Sequence, residues 1–137
     1  MEKTASFAIL VAVYNGSKYL KRCLDSLLQQ TLKDIQVICV DDGSTDNSWE
    51  ILQSYAAVDQ RIEIHHLDQN YGAAHARNEG IRHINARYTT FLDCDDTLAP
   101  DALEQALQAF EKRPQVDCVL LSSSLLEVTI QRHGNMP

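Results

Sequence analysis

The chain has 137 residues, a formal net charge of -7, and 45% hydrophobic against 23% charged residues. This length suits one domain with its own hydrophobic core, and the composition is ordinary for a globular protein. The acidic balance argues against a nucleic-acid groove, which requires a basic patch, so we expect no nucleic-acid partner.

Two further sequence features limit the class of protein. The longest apolar run near the N-terminus, Phe7–Val13, is too short to span a bilayer, so we expect no transmembrane segment in this chain. The four cysteines lie far apart without a C-x-x-C motif, which favours buried free thiols in a reducing compartment. They are Cys23, Cys39, Cys94 and Cys118.

The first half of the chain alternates between strand and helix patterns. The apolar run Phe7–Val13 predicts a first strand, and Ser17 is positioned to cap a first helix. Ile35–Val40 predicts a second strand, and a second helix follows Ser44–Asp46. One face of the first helix collects its apolar residues, Leu20, Cys23, Leu24, Leu27 and Leu28.

The alternation continues in the second half. Ile62–Leu67 is a more polar strand, which suggests an edge position, and Ala73–Ile84 predicts the third helix. Tyr88–Leu92 predicts a fourth strand, Pro100 suits the first position of a fourth helix, and Val116–Leu121 completes five strands.

This alternation predicts an α/β fold, a Rossmann-like, mostly parallel sheet with helices on both faces. We expect residues 1–121 to form this domain and residues 122–137 to form a tail that leads toward an acceptor-binding part.

Polar residues follow each of the first four predicted strands. Ligands of such sheets bind at the carboxyl ends of the strands, so the four loops are expected to converge on one site. The most informative loop carries Asp93, Asp95 and Asp96, three like charges that a cation or a proton would have to relieve. A solvated acidic turn is the alternative for this loop, and the other loops taken singly are consistent with turns and helix caps.

The five histidines do not suggest a metal site by spacing. His65 and His66 are neighbours on the third predicted strand and should point to opposite faces of the sheet. We therefore expect them to be ordinary structural residues.

Four motifs in a fixed order resemble the family 2 glycosyltransferases. They are V-Y-N at residues 13–15, V-D-D-G-S-T-D at 40–46, N-x-G…A-R-N-x-G at 70–80 and F-L-D-C-D-D…P-D at 91–101. The resemblance runs from about Phe7 to Leu107, and it implies the nucleotide-sugar-binding A-type fold. The chain resembles the N-terminal, donor-binding part of such an enzyme.

The resemblance implies a role for individual residues. Tyr14 and Asp42 would contact the base, Asp93 the ribose or sugar, and Asp95 would hold Mn²⁺ or Mg²⁺ at the diphosphate. Arg77 would lie near the phosphates. The implied nucleotide-binding set is Val13, Tyr14, Asn15, Asp42, Arg77, Asn78 and Asp93.

The resemblance also implies a reaction. A sugar would move from a nucleotide-diphosphate donor, a UDP-sugar, to a glycan or lipid-linked acceptor, with metal dependence and inversion. The family's general base lies well beyond the D-x-D motif, so we expect it beyond residue 137 and assign no role to Glu127. The setting implied is polysaccharide synthesis on the cytoplasmic side, at the inner face of the membrane.

Two alternatives compete with this interpretation. Residues 93–98, D-C-D-D-T-L, fit the D-x-D-x-T-L motif of haloacid-dehalogenase-type phosphatases, with Asp93 as nucleophile and Asp95 as general acid. That motif normally opens its domain, whereas here about ninety residues precede it. A non-catalytic module that binds nucleotide sugars is the second alternative.

Overall fold

The computed structural model describes residues 4–115, 118–120 and 129–131. The strands are β1 (Ala5–Val13), β2 (Ile35–Asp41), β3 (Ile62–His66), β4 (Ala86–Phe91), β5 (Cys118–Leu120) and β6 (Thr129–Gln131). The helices are α1 (Leu20–Leu28), α2 (Ser48–Val58), α3 (Ala73–Ile81) and α4 (Ala102–Lys112).

Four parallel strands form the main sheet in the order β3-β2-β1-β4. The register pairs Val13 with Asp41 and Asp41 with His66, so β1, β2 and β3 end side by side. Among the described strands β3 is at an edge of this sheet, as its more polar sequence predicted.

Helices cover both faces of the sheet, which confirms the predicted α/β class. On one face a large core forms between alternate residues of β1 and β2 and the apolar faces of α1, α2 and α4. On the other face α3 packs on the middle strands, with Ala76 against Leu10, Ile38 and Val40. Burial of β1 and β2 on both faces explains why their sequences are unbroken apolar runs.

The contact between α3 and β1 is unusually close at Gly80. A Cβ atom at this position would lie 2.7 Å from Cδ1 and 2.8 Å from Cγ of the buried Leu10. The glycine therefore lets the helix backbone approach the sheet, and this approach sets the depth of α3 on the central strands.

Two helix starts differ from the prediction. Ser17 does not cap α1, because the helix begins only at Leu20, after a turn in which the amides of Tyr19 and Leu20 donate to the Gly16 carbonyl. The Ser17 amide donates to Asp46 Oδ2 at 3.1 Å. Helix α4 begins at Ala102 and not at Pro100. The buried Gln30 fixes this start, since its Nε2 donates to the Ala99 carbonyl and its Oε1 accepts from the Leu103 amide.

The end of α3 and the pairing of the fifth strand also differ from the prediction. Helix α3 ends at Ile81, and the amides of Arg82, His83 and Ile84 instead donate to carbonyls three residues back, as in a tightened final turn. The described part of the fifth apolar run, residues 118–120, does not pair with the parallel sheet. This part, β5, pairs antiparallel with β6, a strand that the sequence pattern did not predict.

The apolar run at residues 116–121 indicated burial, and burial alone does not specify a pairing partner. Residues 116, 117 and 121 of that run lie outside the described residues, and the boundary at residue 121 stays a prediction. Among the described residues, no helix combines the length and the apolar character needed to cross a bilayer.

The thiols follow expectation where they are described. Cys23 and Cys39 are free and buried, and Cys94 is free and half-buried. Burial raises the pKa of Cys23 to about 12, so this thiol stays protonated at neutral pH. The side chain of Cys118 lies outside the described residues.

The contact at Gly80 gives a stability prediction. Gly80→Ala should improve helix propensity by ~1 kcal/mol, but the overpacking against Leu10 costs about 1–3 kcal/mol. We expect lower stability, by up to about 2 kcal/mol, in urea unfolding. Leu10→Val in the Gly80→Ala background should recover part of this loss, and simple additivity of the two substitutions would contradict the contact.

Candidate functional site

Asn15 links the loop after β1 to the loop after β2. Its side-chain Oδ1 accepts from the Thr45 amide at 2.7 Å and the Asp46 amide at 3.2 Å, and its own amide donates to Ser44 Oγ at 2.9 Å. Asn15 has a φ of 49°, a left-handed conformation that asparagine adopts more readily than most residues. The two loops are therefore held as one unit.

Asp42 links the loop after β2 to the loop before α3. The residue is only 2% exposed, and its two carboxylate oxygens accept from the amides of Tyr71 at 2.8 Å and Gly72 at 2.9 Å. Its own amide donates to the Val13 carbonyl at 2.8 Å. A buried carboxylate with two such partners is stable because the charge is satisfied by main-chain donors.

The turn directly after Asp42 depends on Gly43. It has a φ of 71°, and a Cβ atom there would lie 2.5 Å from the carbonyl carbon of Gln69. The fully buried Asp41 precedes the turn, and its Oδ2 accepts from the Ser44 amide and contacts His66 Nδ1 at 3.0 Å. The close approach at Gly43 and the contact between Asp41 and His66 therefore hold the loops after β2 and β3 next to each other.

The end of β1 with the loop that follows it, helix α3 and the loop after β4 surround a pocket of ≈ 410 Å³ at the carboxyl ends of β1 and β4, which we call the carboxyl-edge pocket. Five residues predicted from the sequence line it, and five others were not predicted. The predicted ones are Tyr14, Asn15, Arg77, Asp93 and Asp95, and the others are Ala12, Gly16, Tyr19, Ala73 and Cys94. Tyr14 is 47% exposed, so its ring is available to a ligand.

Three carboxylates meet at the rim of this pocket. Asp93, Asp95 and Asp96 are exposed, and each offers an oxygen within 4.8 Å of the others. Arg77 on α3 lies opposite, with Nη2 at 3.5 Å from Asp93 Oδ1. The sequence argument placed these charges at a strand end inside the sheet, but β4 is an edge among the described strands and the cluster faces solvent.

The acidic cluster fits a hard divalent cation. Mg²⁺ and Mn²⁺ prefer oxygen ligands, and Mg²⁺ is typically held by one or two carboxylates with water and phosphate oxygens completing the shell. The sequence predicted Asp95 as the single protein ligand of the ion. In the structure Asp93 and Asp96 lie close enough to Asp95 to act as further ligands. The signal for Asp96 was its position directly after the D-x-D.

Cys94 and Gly16 form the floor of the pocket in close contact. A Cβ atom on Gly16 would lie 2.6 Å from Cys94 Sγ, so any larger residue at position 16 would displace the thiol. Burial raises the pKa of the Cys94 thiol, with the nearby Asp95 adding to the effect. The neutral thiol is therefore a packing group beneath the acidic cluster.

Three predicted nucleotide-binding residues lie outside the lining of this pocket. Val13 has its side chain in the core, Asp42 is buried beneath the loops, and Asn78 is exposed on α3. The structure thus brings five of the predicted residues together and gives Val13 and Asp42 a structural position next to them. Their contacts with a nucleotide remain predictions.

The family model described as glycosyl transferase family 2 matches residues 8–136 of the chain. The chain belongs to this family.

A curated relative supports the same assignment. Glycosyltransferase GlyG of Streptococcus pneumoniae is 38% identical over 106 residues, which are 77% of this chain and 35% of that protein. The chain therefore spans about a third of the length of this relative.

Solved structures share the fold. TarS of S. aureus, crystallised in complex with UDP, matches 80% of this chain and 33% of that chain with a TM-score of 0.74 and 27% identity. The mannosyltransferase PcManGT of Pyrobaculum calidifontis, in complex with GDP-Man and Mn²⁺, matches 83% of this chain and 34% of that chain, with a TM-score of 0.74 and 24% identity. These neighbours confirm the predicted A-type fold.

Asp46, which joins the loops beside the pocket, gives a pH prediction. Burial alone would raise its pKa, but hydrogen bonds from Ser48 and Ser17 outweigh burial and lower the pKa to about 2. The depressed pKa means that Asp46 adds stability above its unfolded pKa of about 3.9, and that this stability disappears as pH falls through about 2.

Asp46→Ala should therefore lower Tm near neutral pH, and its difference from the parent protein should shrink between about pH 4 and 2 in thermal unfolding. The uncharged neighbour Asn47 offers a control, because any effect of Asn47→Ala should not change over this range. A constant difference for Asp46→Ala would exclude the charge as the stabilising group.

Proposed function

We propose that this chain is the donor-binding part of a glycosyltransferase that takes its sugar from a nucleotide diphosphate, with a UDP-sugar as the expected donor. The observation that carries the proposal is the carboxyl-edge pocket, where the exposed acidic cluster faces Arg77 beside the exposed ring of Tyr14. Membership of glycosyl transferase family 2 supports the reaction class, and the TarS complex with UDP supports the choice of base.

Each part of the pocket suits one part of such a donor. The exposed ring of Tyr14 offers a stacking surface for the base, and Asp42 is the nearby acceptor that we propose reads its imide N–H. Arg77 carries a fixed positive charge toward the diphosphate. Asp93, exposed beside Arg77, is positioned to accept from ribose or sugar hydroxyls.

The negative charge of the diphosphate requires a cation between it and the acidic cluster. Asp95, with Asp93 and Asp96, would hold Mn²⁺ or Mg²⁺. When bound, such an ion offsets the charge that grows on the nucleoside diphosphate as it leaves the sugar. The Mn²⁺ in the PcManGT complex, a protein of the same fold, accords with this assignment.

The remainder of the reaction is proposed on the family resemblance alone. We propose a glycan or lipid-linked acceptor, inversion at the transferred sugar, and a general base outside residues 1–137. The setting proposed is polysaccharide synthesis on the cytoplasmic side. Family membership favours this transferase over the phosphatase interpretation of residues 93–98.

Thermal unfolding of the chain with UDP, GDP and CDP, each with and without Mn²⁺, tests the donor proposal. A nucleotide at about a hundred times its Kd adds roughly 2.7 kcal/mol to stability, which is an easily measured rise in Tm. We expect the largest Mn²⁺-dependent rise with UDP. Asp95→Ala should abolish the rise while leaving the fold intact, because the substitution removes a ligand and also relieves repulsion.

Glu111→Ala is the matched control, since it removes an exposed carboxylate from α4, away from the pocket. It should respond to UDP and Mn²⁺ as the parent protein does. An unchanged rise in Asp95→Ala would exclude Asp95 as the metal ligand, and no rise with any nucleotide would contradict donor binding by this chain.

Asp42 can be tested for base recognition separately from its structural role. A hydrogen bond to a charged group is worth about 1.5–3 kcal/mol, so Asp42→Ala should weaken the binding of UDP by about 10- to 100-fold. The same substitution should weaken the binding of bare pyrophosphate less, as measured by calorimetric titration with Mn²⁺ present. Equal losses would show that Asp42 acts only by holding the amides of Tyr71 and Gly72.

Asp68→Ala is the control for this comparison. Asp68 is an exposed carboxylate in the loop between β3 and α3, which also contains Tyr71 and Gly72, and it accepts from the Tyr71 hydroxyl at 2.8 Å. Its removal should leave the ratio of the UDP and pyrophosphate affinities unchanged.

A further inference from the structure

A second group of metal-ligating side chains lies on the edge strand β3, next to the end of α3. Glu63 and His65 are two residues apart on β3 and therefore point to the same face. His83, just after the end of α3, reaches the same point. Each of the three offers a ligand atom within 4.8 Å of the others, and all are half-buried.

One nitrogen of each histidine lies close to the same carboxylate oxygen of Glu63. Glu63 Oε2 lies 2.7 Å from His65 Nε2 and 3.6 Å from His83 Nδ1. Metal–ligand bonds of about 2.0–2.1 Å in tetrahedral geometry place ligand atoms about 3.3 Å apart. The His83 separation is already close to this value, and the His65 separation has to widen from its hydrogen-bond distance. Small side-chain movements would be sufficient to hold one ion.

Outer contacts orient two of these ligands. His83 directs Nδ1 to Glu63, and its other nitrogen, Nε2, lies 3.3 Å from Glu79 Oε2. A ligating histidine typically donates its second N–H to a carboxylate in this way, which fixes the tautomer. Glu63 is held similarly, since its Oε1 accepts from Gln36 Nε2 at 3.3 Å while Gln36 also bonds the His83 carbonyl.

The imidazole rings must turn to complete such a site. The rings of His65 and His83 are stacked, with centroids 3.8 Å apart and an interplanar angle of 19°. An ion lies in the plane of each imidazole that binds it, so the rings must splay about their Cβ–Cγ bonds, a torsion with broad minima. The partial exposure of all three side chains leaves room for this rotation.

An ion also has a route to the cluster. Glu63 and Gln36 line a surface depression of ≈ 530 Å³ at the amino ends of the strands of the main sheet, together with Arg61. The cluster is therefore reachable from solvent without opening the core.

We propose that Glu63, His65 and His83 bind a divalent transition-metal ion of the zinc type, with Glu79 and Gln36 as supporting residues. Two imidazoles and one carboxylate favour Zn²⁺, Co²⁺ or Ni²⁺, whereas the all-oxygen cluster at Asp95 favours Mg²⁺ or Mn²⁺. Three protein ligands leave a fourth position for water. The bound ion ties the edge strand β3 to the C-terminal end of α3, the helix that carries Arg77.

The proposal is independent of donor binding, and a metal titration tests it. Calorimetry with Zn²⁺ and visible absorption with Co²⁺ should show one bound ion per chain, in the parent protein and equally in Asp95→Ala. His65→Gln and His83→Gln should each weaken Zn²⁺ by more than 100-fold, and Glu79→Gln by about 10- to 100-fold.

His75→Gln is the matched control, since His75 lies on α3, the helix that His83 follows, but stacks on Tyr71, outside the cluster. It should bind Zn²⁺ as the parent protein does, and circular dichroism of each variant checks that the fold is kept. No Zn²⁺ or Co²⁺ binding at millimolar ion would overturn the proposal. Equal Zn²⁺ affinity in the variants His65→Gln, His83→Gln and His75→Gln would also overturn it. The contacts among Glu63, His65 and His83 would then be hydrogen bonds alone.

Discussion

The buried carboxylate of Asp42 is the constraint on which the carboxyl edge depends. A buried charge is costly unless hydrogen bonds satisfy it, and here the amides of Tyr71 and Gly72 do so at 2.8 and 2.9 Å. Asp42 follows β2, a central strand, so these bonds fix the loop before α3 relative to the middle of the sheet. Helix α3 starts directly after Gly72, which brings Arg77 opposite Asp93.

The site divides its polar residues by burial. Asp41, Asp42 and Ser48 are buried, and the hydrogen bonds they make hold loops together. Most of the residues proposed to meet a ligand are exposed, namely Tyr14, Asp93, Asp95 and Asp96, and the buried Asp42 is the exception. Exposed like charges cost little because water screens them, so the acidic cluster can stay ready for a cation without a large loss of fold stability.

Helix α3 connects the two clusters that could hold cations. From the middle of the helix Arg77 faces the carboxyl-edge pocket. Just after the helix, His83 contacts Glu63 on β3 and Glu79 at the C-terminal end of α3. Gly80 holds the helix close to β1 between these points. An ion at the β3 cluster would therefore restrain the same element that carries the proposed phosphate-binding arginine, which couples the two regions mechanically.

The sequence by itself determined the four parallel strands, the four helices, the edge at which their loops meet and the acidic cluster, because hydrophobic period and turn residues are local properties. It did not determine that Asp42 turns inward, that β5 pairs with β6, or that His83 joins Glu63 and His65. Those contacts join residues far apart in the chain. The packing of α3 on the sheet decides the contacts of Asp42 and His83, and the pairing of β5 with β6 is decided separately from that helix. A local pattern records whether a side chain is buried and not which distant group it meets.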